Sequence, residues 1–75
     1  LYSMKKIKKI KIKINGKFSM ISENLSLSNF LKQLKIPLKK VAIELNQEII
    51  DKNEIRKIKL KQSDKIEIVH FIGGG

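Results

Sequence analysis

Residues 9–14 of this 75-residue chain have the sequence KIKIKI, in which lysine and isoleucine alternate at every position. Successive side chains of a β-strand point to opposite faces of the sheet, whereas a helix would spread these isoleucines around its circumference. The alternation therefore predicts a half-buried β-strand, with the isoleucines facing a core and the lysines facing water.

An Asn-Gly pair at positions 15 and 16 follows this strand and is a strong signal for a β-hairpin. Phe18 and Met20 resume the two-residue spacing beyond it. A two-residue loop would place both side chains on the face that carries the lysines. Pairing Ile14 with Phe18 requires one more residue in the loop. We therefore predict a three-residue turn, Asn15-Gly16-Lys17, that brings Phe18 and Met20 onto the isoleucine face.

A helix is predicted after the hairpin. Ser26 suits the N-cap position, and Pro37 disfavours helical backbone just before it, so the element should end near Lys35. Four apolar residues fall at positions i, i+3, i+4 and i+7 and form a stripe that should be buried against the sheet: Leu27, Phe30, Leu31 and Leu34.

The rest of the chain is predicted to form strands joined by turns. The expected strands are residues 41–45, 48–50, a brief segment at 58–60 and a last strand at 65–71, with turns at 46–47 and 62–64. This order predicts a small α+β roll, a mixed sheet of four to five strands covered by one main helix. A crossover that contains a helix separates the first and last strands, so these two could pair in parallel at the centre.

The chain carries a formal net charge of +10. Such a charge ordinarily indicates nucleic acid or an anionic membrane as a partner. However, sixteen of the seventeen basic residues are lysine and Arg56 is the single arginine, whereas base edges are recognised best by the planar guanidinium. Aromatic residues on which bases could stack are few. We interpret the lysines as a solvated face, and a basic RNA-binding module remains the alternative of a different class.

Catalysis by side chains is not indicated. The chain has no cysteine, and His70 is its only histidine, so neither a metal cluster nor a histidine-activated nucleophile can be assembled in the usual ways. No apolar stretch approaches the roughly 20 residues that a membrane-spanning helix needs. Residues 1–3 precede Met4 and are expected to be an expression remnant.

The last three residues are glycines. A terminal glycine presents an α-carboxylate with no side chain beside it, on backbone that can enter a narrow channel. Together with KINGK at the first hairpin and ELNQEII in the middle, the ending DKIEIVHFIGGG makes residues 4–75 resemble the ThiS family, the sulfur carriers of thiamine biosynthesis. The resemblance implies a ubiquitin-like β-grasp domain over residues 4–72, followed by a flexible glycine tail at 73–75.

The resemblance also implies the chemistry. An adenylating enzyme of the E1-like class would use ATP and magnesium to convert the Gly75 carboxylate into an acyl-adenylate. A sulfur donor protein would then displace AMP, and thiazole synthase would consume the resulting thiocarboxylate. Gly73 and Gly74 would thread the channel of the partner, and Phe71 and Ile72 are the tentative docking residues. The carrier itself would bind no cofactor or metal and would be a co-substrate of enzymes, not an enzyme.

Two alternatives of the same fold stay open from the residues alone. A molybdopterin-type sulfur carrier and a protein-conjugating ubiquitin-like modifier would share the adenylated glycine terminus. A cytoplasmic location is expected for any of the three.

Overall fold

The computed structural model of the protein describes residues 8–71. Within that range the elements are the strands β1 (Lys9–Ile14), β2 (Lys17–Ser22), β3 (Val41–Leu45), β4 (Glu48–Ile49) and β5 (Lys65–His70), the helix α1 (Leu27–Gln33) and a 3-10 turn (Leu38–Lys40). The strands form one sheet in the order β2-β1-β5-β3-β4. β1 and β5 are parallel at its centre and the other described pairs are antiparallel, which confirms the predicted α+β roll.

The first hairpin differs from the prediction. Lys13 pairs with Phe18, so the turn contains only the two residues at positions 15 and 16, and the three-residue turn was wrong. Asn15 has a φ of 47° and Gly16 a φ of 83°, the left-handed backbone at both positions that a two-residue type I′ turn requires. This turn matches the twist of the strands, and its geometry outweighs the burial of two apolar side chains. Phe18 and Met20 therefore lie on the lysine face and are 69% and 56% exposed.

The helix is shorter than predicted at its C-terminal end. Ser26 is the N-cap, as expected, and its hydroxyl accepts a hydrogen bond from the Asn29 amide at 3.0 Å. The helix ends at Gln33, and Lys35 has a left-handed φ of 57° that reverses the chain before Pro37. Leu34, predicted as the last residue of the buried stripe, is consequently 45% exposed.

The core lies between the inner face of the sheet and α1. Ile12 from β1, Val41 and Ile43 from β3, and Ile66 and Ile68 from β5 are buried there. The helix contributes Leu27, Phe30 and Leu31 from the other side. Complete burial of each such side chain stabilises the fold by about 1.5–3 kcal/mol. None of the helices within residues 8–71 is long and apolar enough to cross a membrane.

The segment between β4 and β5 closes the open end of this core. Residues 58–60 were predicted as a strand, but the structure has there a single bridge between Ser26 and Lys59. The segment instead buries Leu60 and presents the Ile58 carbonyl to the Leu27 amide at 2.8 Å. The first amides of a helix have no partner within the helix, so this loop satisfies groups that the short helix leaves unpaired.

Candidate functional site

The glycine tail follows the central strand of the described sheet. β5 lies between β1 and β3, and its last pair joins His70 to Val41. One residue further, the Phe71 amide donates a hydrogen bond to the Lys40 carbonyl at 2.8 Å. The chain is therefore held on the sheet as far as residue 71. Ile72 and the predicted tail residues Gly73, Gly74 and Gly75 lie outside the described residues.

Phe71 does not close the core. Its side chain is 55% exposed, and the ammonium nitrogen of Lys52 lies over the ring, 5.3 Å from the centroid. Lys52 itself is half-buried in the loop after β4. An ammonium group at this distance from an aromatic ring is attracted by its electron-rich face. Phe71 is thus available to a partner at the point where the tail departs.

We distinguish two regions of the outer face of the sheet, which is turned away from α1. We call the part next to the tail, formed by Ala42, Val69 and Phe71, the tail-end surface; Ala42 and Val69 are direct cross-strand neighbours. We call the part at the other edge, formed by Lys11, Lys13, Phe18 and Met20, the hairpin patch. Sequence reasoning missed the hairpin patch, because a one-residue change of register moves Phe18 and Met20 from one face to the other.

Two asparagines in turns bond to β5 from its two sides. The Asn15 side-chain oxygen accepts the Ile68 amide at 2.8 Å, which extends the bonding between β1 and β5 beyond the end of β1. On the other side, Asn46 accepts the Lys65 amide at 2.9 Å and donates to the Asp64 carboxylate at 3.0 Å. The turn residues were predicted from the sequence, but these long-range bonds were not, because turn chemistry contains no information about which strand lies alongside.

His70 is an exposed strand residue, as expected. Among residues 8–71, no three His, Asp, Glu or Cys side chains lie close enough together to hold a metal ion. The candidate site that the sequence predicts begins at the end of β5, which is the last part of it that the structure describes.

Within residues 8–71, the sheet is mixed, its first and last strands are parallel at its centre, and one helix covers it. This arrangement defines a ubiquitin-like β-grasp domain. The crystal structure of the thiamine biosynthesis protein ThiS from Geobacter metallireducens has a TM-score of 0.78 to this chain at 30% identity, covering 88% of this chain and 100% of that one. The model of the ThiS family matches residues 12–75. This chain belongs to the ThiS family, which confirms the resemblance found in the sequence.

This chain covers very different fractions of the length of two further relatives. The sulfur carrier protein ThiS of Bacillus subtilis is 35% identical over 65 residues, which are 85% of this chain and 98% of that protein. A thiazole synthase of Paramagnetospirillum magneticum is 38% identical over 66 residues, which are 88% of this chain but 20% of that protein. This chain therefore spans about one fifth of the length of that thiazole synthase.

Proposed function

We propose that this protein is a sulfur carrier of thiamine biosynthesis and that its Gly75 carboxylate is converted into a thiocarboxylate. Membership of the ThiS family carries this proposal, because the family match extends through the terminal glycines. The position of β5 supports it: the strand is paired with β3 as far as His70 and the Phe71 amide is bonded to the Lys40 carbonyl, so the following residues begin from a fixed point.

The chemistry requires activation of the carboxylate by a partner. A carboxylate is a poor acyl donor until one of its oxygens becomes part of a good leaving group. In the adenylating enzyme, that oxygen attacks the α-phosphorus of ATP and pyrophosphate leaves. With sulfide as the donor, sulfur then attacks the acyl carbon, AMP departs with the original oxygen, and a thiocarboxylate remains without any change of oxidation state. ATP and magnesium belong to the site of that partner.

The side chains of the carrier have a different part in this proposal. Glycines at 73 and 74 reduce the steric demand of the tail within the active site of the partner. Phe71, which is exposed and precedes them by two residues in the sequence, supplies apolar area for docking together with Ile72. The carrier thus supplies a reactive end and a recognition surface, while the enzymes act on it in the cytoplasm.

Thiazole synthase is the proposed consumer of the thiocarboxylate. A relative that bears this name contains a segment 38% identical to most of this chain. A carrier-like segment within the synthase polypeptide would have its tail close to the active site at all times. We propose that the present chain supplies the same tail to a thiazole synthase.

The first prediction concerns the tail. Incubation of the protein ending in Gly75 with the adenylating enzyme of its source, ATP and sulfide should raise its intact mass by the difference between one sulfur and one oxygen atom. A variant that lacks Gly74 and Gly75 should fold normally and gain no mass. Absence of the gain in the full chain, with an adenylating enzyme that is active on another carrier, would overturn the proposed function.

The same experiment separates the alternatives. A protein-conjugating modifier would give a covalent adduct on target lysines in a lysate of the source organism, in place of a stable thiocarboxylate. A molybdopterin-type carrier would be sulfurated but would fail to support thiazole formation with thiazole synthase.

A further inference from the structure

The hairpin patch combines exposed apolar surface with positive charge. Lys13 lies directly opposite Phe18, and Lys11 directly opposite Met20, on the antiparallel strands β1 and β2. The ammonium nitrogens of Lys11 and Lys13 lie 4.8 and 5.0 Å from the centroid of the Phe18 ring. A shallow depression next to the ring is lined in part by Gln62 and Ser63. The patch is therefore an aromatic centre held between two cations, beside a recess.

The charge around this patch is mainly positive. Lys65 from β5 is exposed nearby and is the direct neighbour of Lys13 in the sheet. Of the acidic residues of the outer face, Glu44 lies farther away on β3, while Glu67 of β5 lines a recess together with Lys13 and Lys65. A complementary partner must therefore present carboxylates around an apolar contact, because like charges at an interface are strongly unfavourable.

Energetic considerations indicate which partner this is. Before activation, the tail ends in glycines and an ordinary carboxylate, which give an enzyme no side chain to recognise. The binding energy that offsets the ordering of the tail must then come from the folded domain, remote from the reacting carbon. Enzymes that act later can also recognise the sulfur atom. The first partner, the adenylating enzyme, depends most on the domain.

We propose that the hairpin patch is a docking surface for the adenylating enzyme, on which an acidic rim surrounds an apolar recess that receives Phe18 and Met20. This inference rests on the proposed function for the identity of the partner. It adds a second contact, at the sheet edge away from β3, to the tail-end surface. Opposite charges steer the encounter, and the apolar centre supplies short-range affinity.

A protein occupant is favoured over RNA by the contacts within the patch. Nucleic-acid surfaces of this kind use an aromatic ring as a platform for base stacking. Here two ammonium groups already lie over the Phe18 ring. The surrounding cations are lysines, which lack the planar, bidentate geometry of arginine.

The test compares two patch variants with matched controls in the full chain. The patch variants are Phe18→Ala and the double charge reversal Lys11→Glu with Lys13→Glu. The controls are Leu34→Ala, just after the end of the helix, and the double reversal Lys32→Glu with Lys39→Glu, on the helix and in the 3-10 turn; all three positions are exposed. Binding to the adenylating enzyme is measured without ATP at low and high salt, and thiocarboxylate formation gives KM and kcat. Unchanged thermal unfolding shows that the variants fold.

Each patch variant should raise KM roughly tenfold, the effect of losing one good interface contact, while kcat stays within about twofold. The lysine reversal should also slow association and remove most of its salt dependence. The helix controls should behave as wild type. Wild-type KM in both patch variants, or an equal loss in the controls, would overturn the docking inference and leave the proposed function intact.

Two further outcomes are decisive. If sulfuration is absent but binding to the enzyme is lost in the patch variants, the docking surface stands and the proposed function falls. If the wild type binds a poly(U) oligonucleotide tightly at about 150 mM salt, and the lysine reversal abolishes this, the occupant is a nucleic acid and the inference is wrong.

Discussion

The side chain of Asn15 has two roles at one position. Its left-handed backbone, with a φ of 47°, belongs to the hairpin turn, and its side-chain oxygen accepts the amide of Ile68 in the neighbouring strand. Asparagine and aspartate tolerate left-handed backbone better than other residues that carry a side chain, and both have an acceptor oxygen at the same place. Few residues other than these two could meet both requirements.

A comparison of two substitutions at this position tests the long-range bond. Asn15→Ala should lower the free energy of unfolding by about 2 kcal/mol, since it adds left-handed strain and leaves the Ile68 amide without its acceptor. Asn15→Asp should be much less destabilising. Urea unfolding monitored by circular dichroism measures both. Equal losses in the two variants would contradict the role of the side-chain oxygen.

A second prediction at the residue scale concerns Glu44 and Glu67, which lie directly opposite each other on β3 and β5. Like charges at such positions repel. Glu44→Thr should therefore raise the free energy of unfolding by about 0.5 kcal/mol, and added salt should reduce the difference. Glu48→Thr, at a position whose direct neighbour is Leu45, is the control. A variant no more stable than this control would show that the repulsion is negligible.

At the scale of elements, β5 both fills the core and leads to the tail. Its even-numbered residues Ile66 and Ile68 are buried, while Val69 is exposed on the outer face. Phe71 follows at the end of this strand, bonded to the Lys40 carbonyl and lying under the Lys52 ammonium. The same strand thus connects the most protected part of the fold to the residues proposed to react.

Substitutions at this end of β5 should alter recognition and not folding. Phe71→Ala is expected to raise KM with the adenylating enzyme roughly tenfold, and Lys52→Met roughly threefold, because an exposed cation–π contact is weak. Ile49→Ala, an exposed apolar position at the opposite sheet edge from the hairpin patch, is the control. A fall in Tm for Phe71→Ala as large as that for the buried Ile68→Ala would instead make Phe71 a core residue.

An element was predicted correctly where a single sequence rule determined its structure, and incorrectly where two rules conflicted. The KIKIKI alternation, the Ser26 cap and the Asn46 turn each follow from one rule, and all three were predicted correctly. At Phe18, two rules conflicted, burial of an aromatic ring against the geometry of an Asn-Gly turn, and sequence alone could not weigh them. Residues 58–60 alternate as a strand would, but the unpaired amides of the helix and the burial of Leu60 determine their path.

At the scale of the whole molecule, the candidate site was predicted in part. The glycine tail was predicted from the terminal glycines of the sequence, and it stays a prediction because it lies outside residues 8–71. The exposure of Phe71 and its contact with Lys52 could not be predicted, because they depend on the path of the loop after β4. Local sequence patterns do not predict that path. The hairpin patch was hidden by the register error, which assigned its two apolar residues to the core.

The placement of β5 between β1 and β3 also has a mechanical consequence. Hydrogen bonds in a sheet run across the strands, so a pull along β5 loads the bonds on both of its sides together, in shear. The Asn15 side chain adds one more bond on the side of β1. A strand at the sheet edge would instead have neighbours on one side only. If a partner draws the last residues into a channel, as proposed, the bonds on the two sides of β5 resist the pull together.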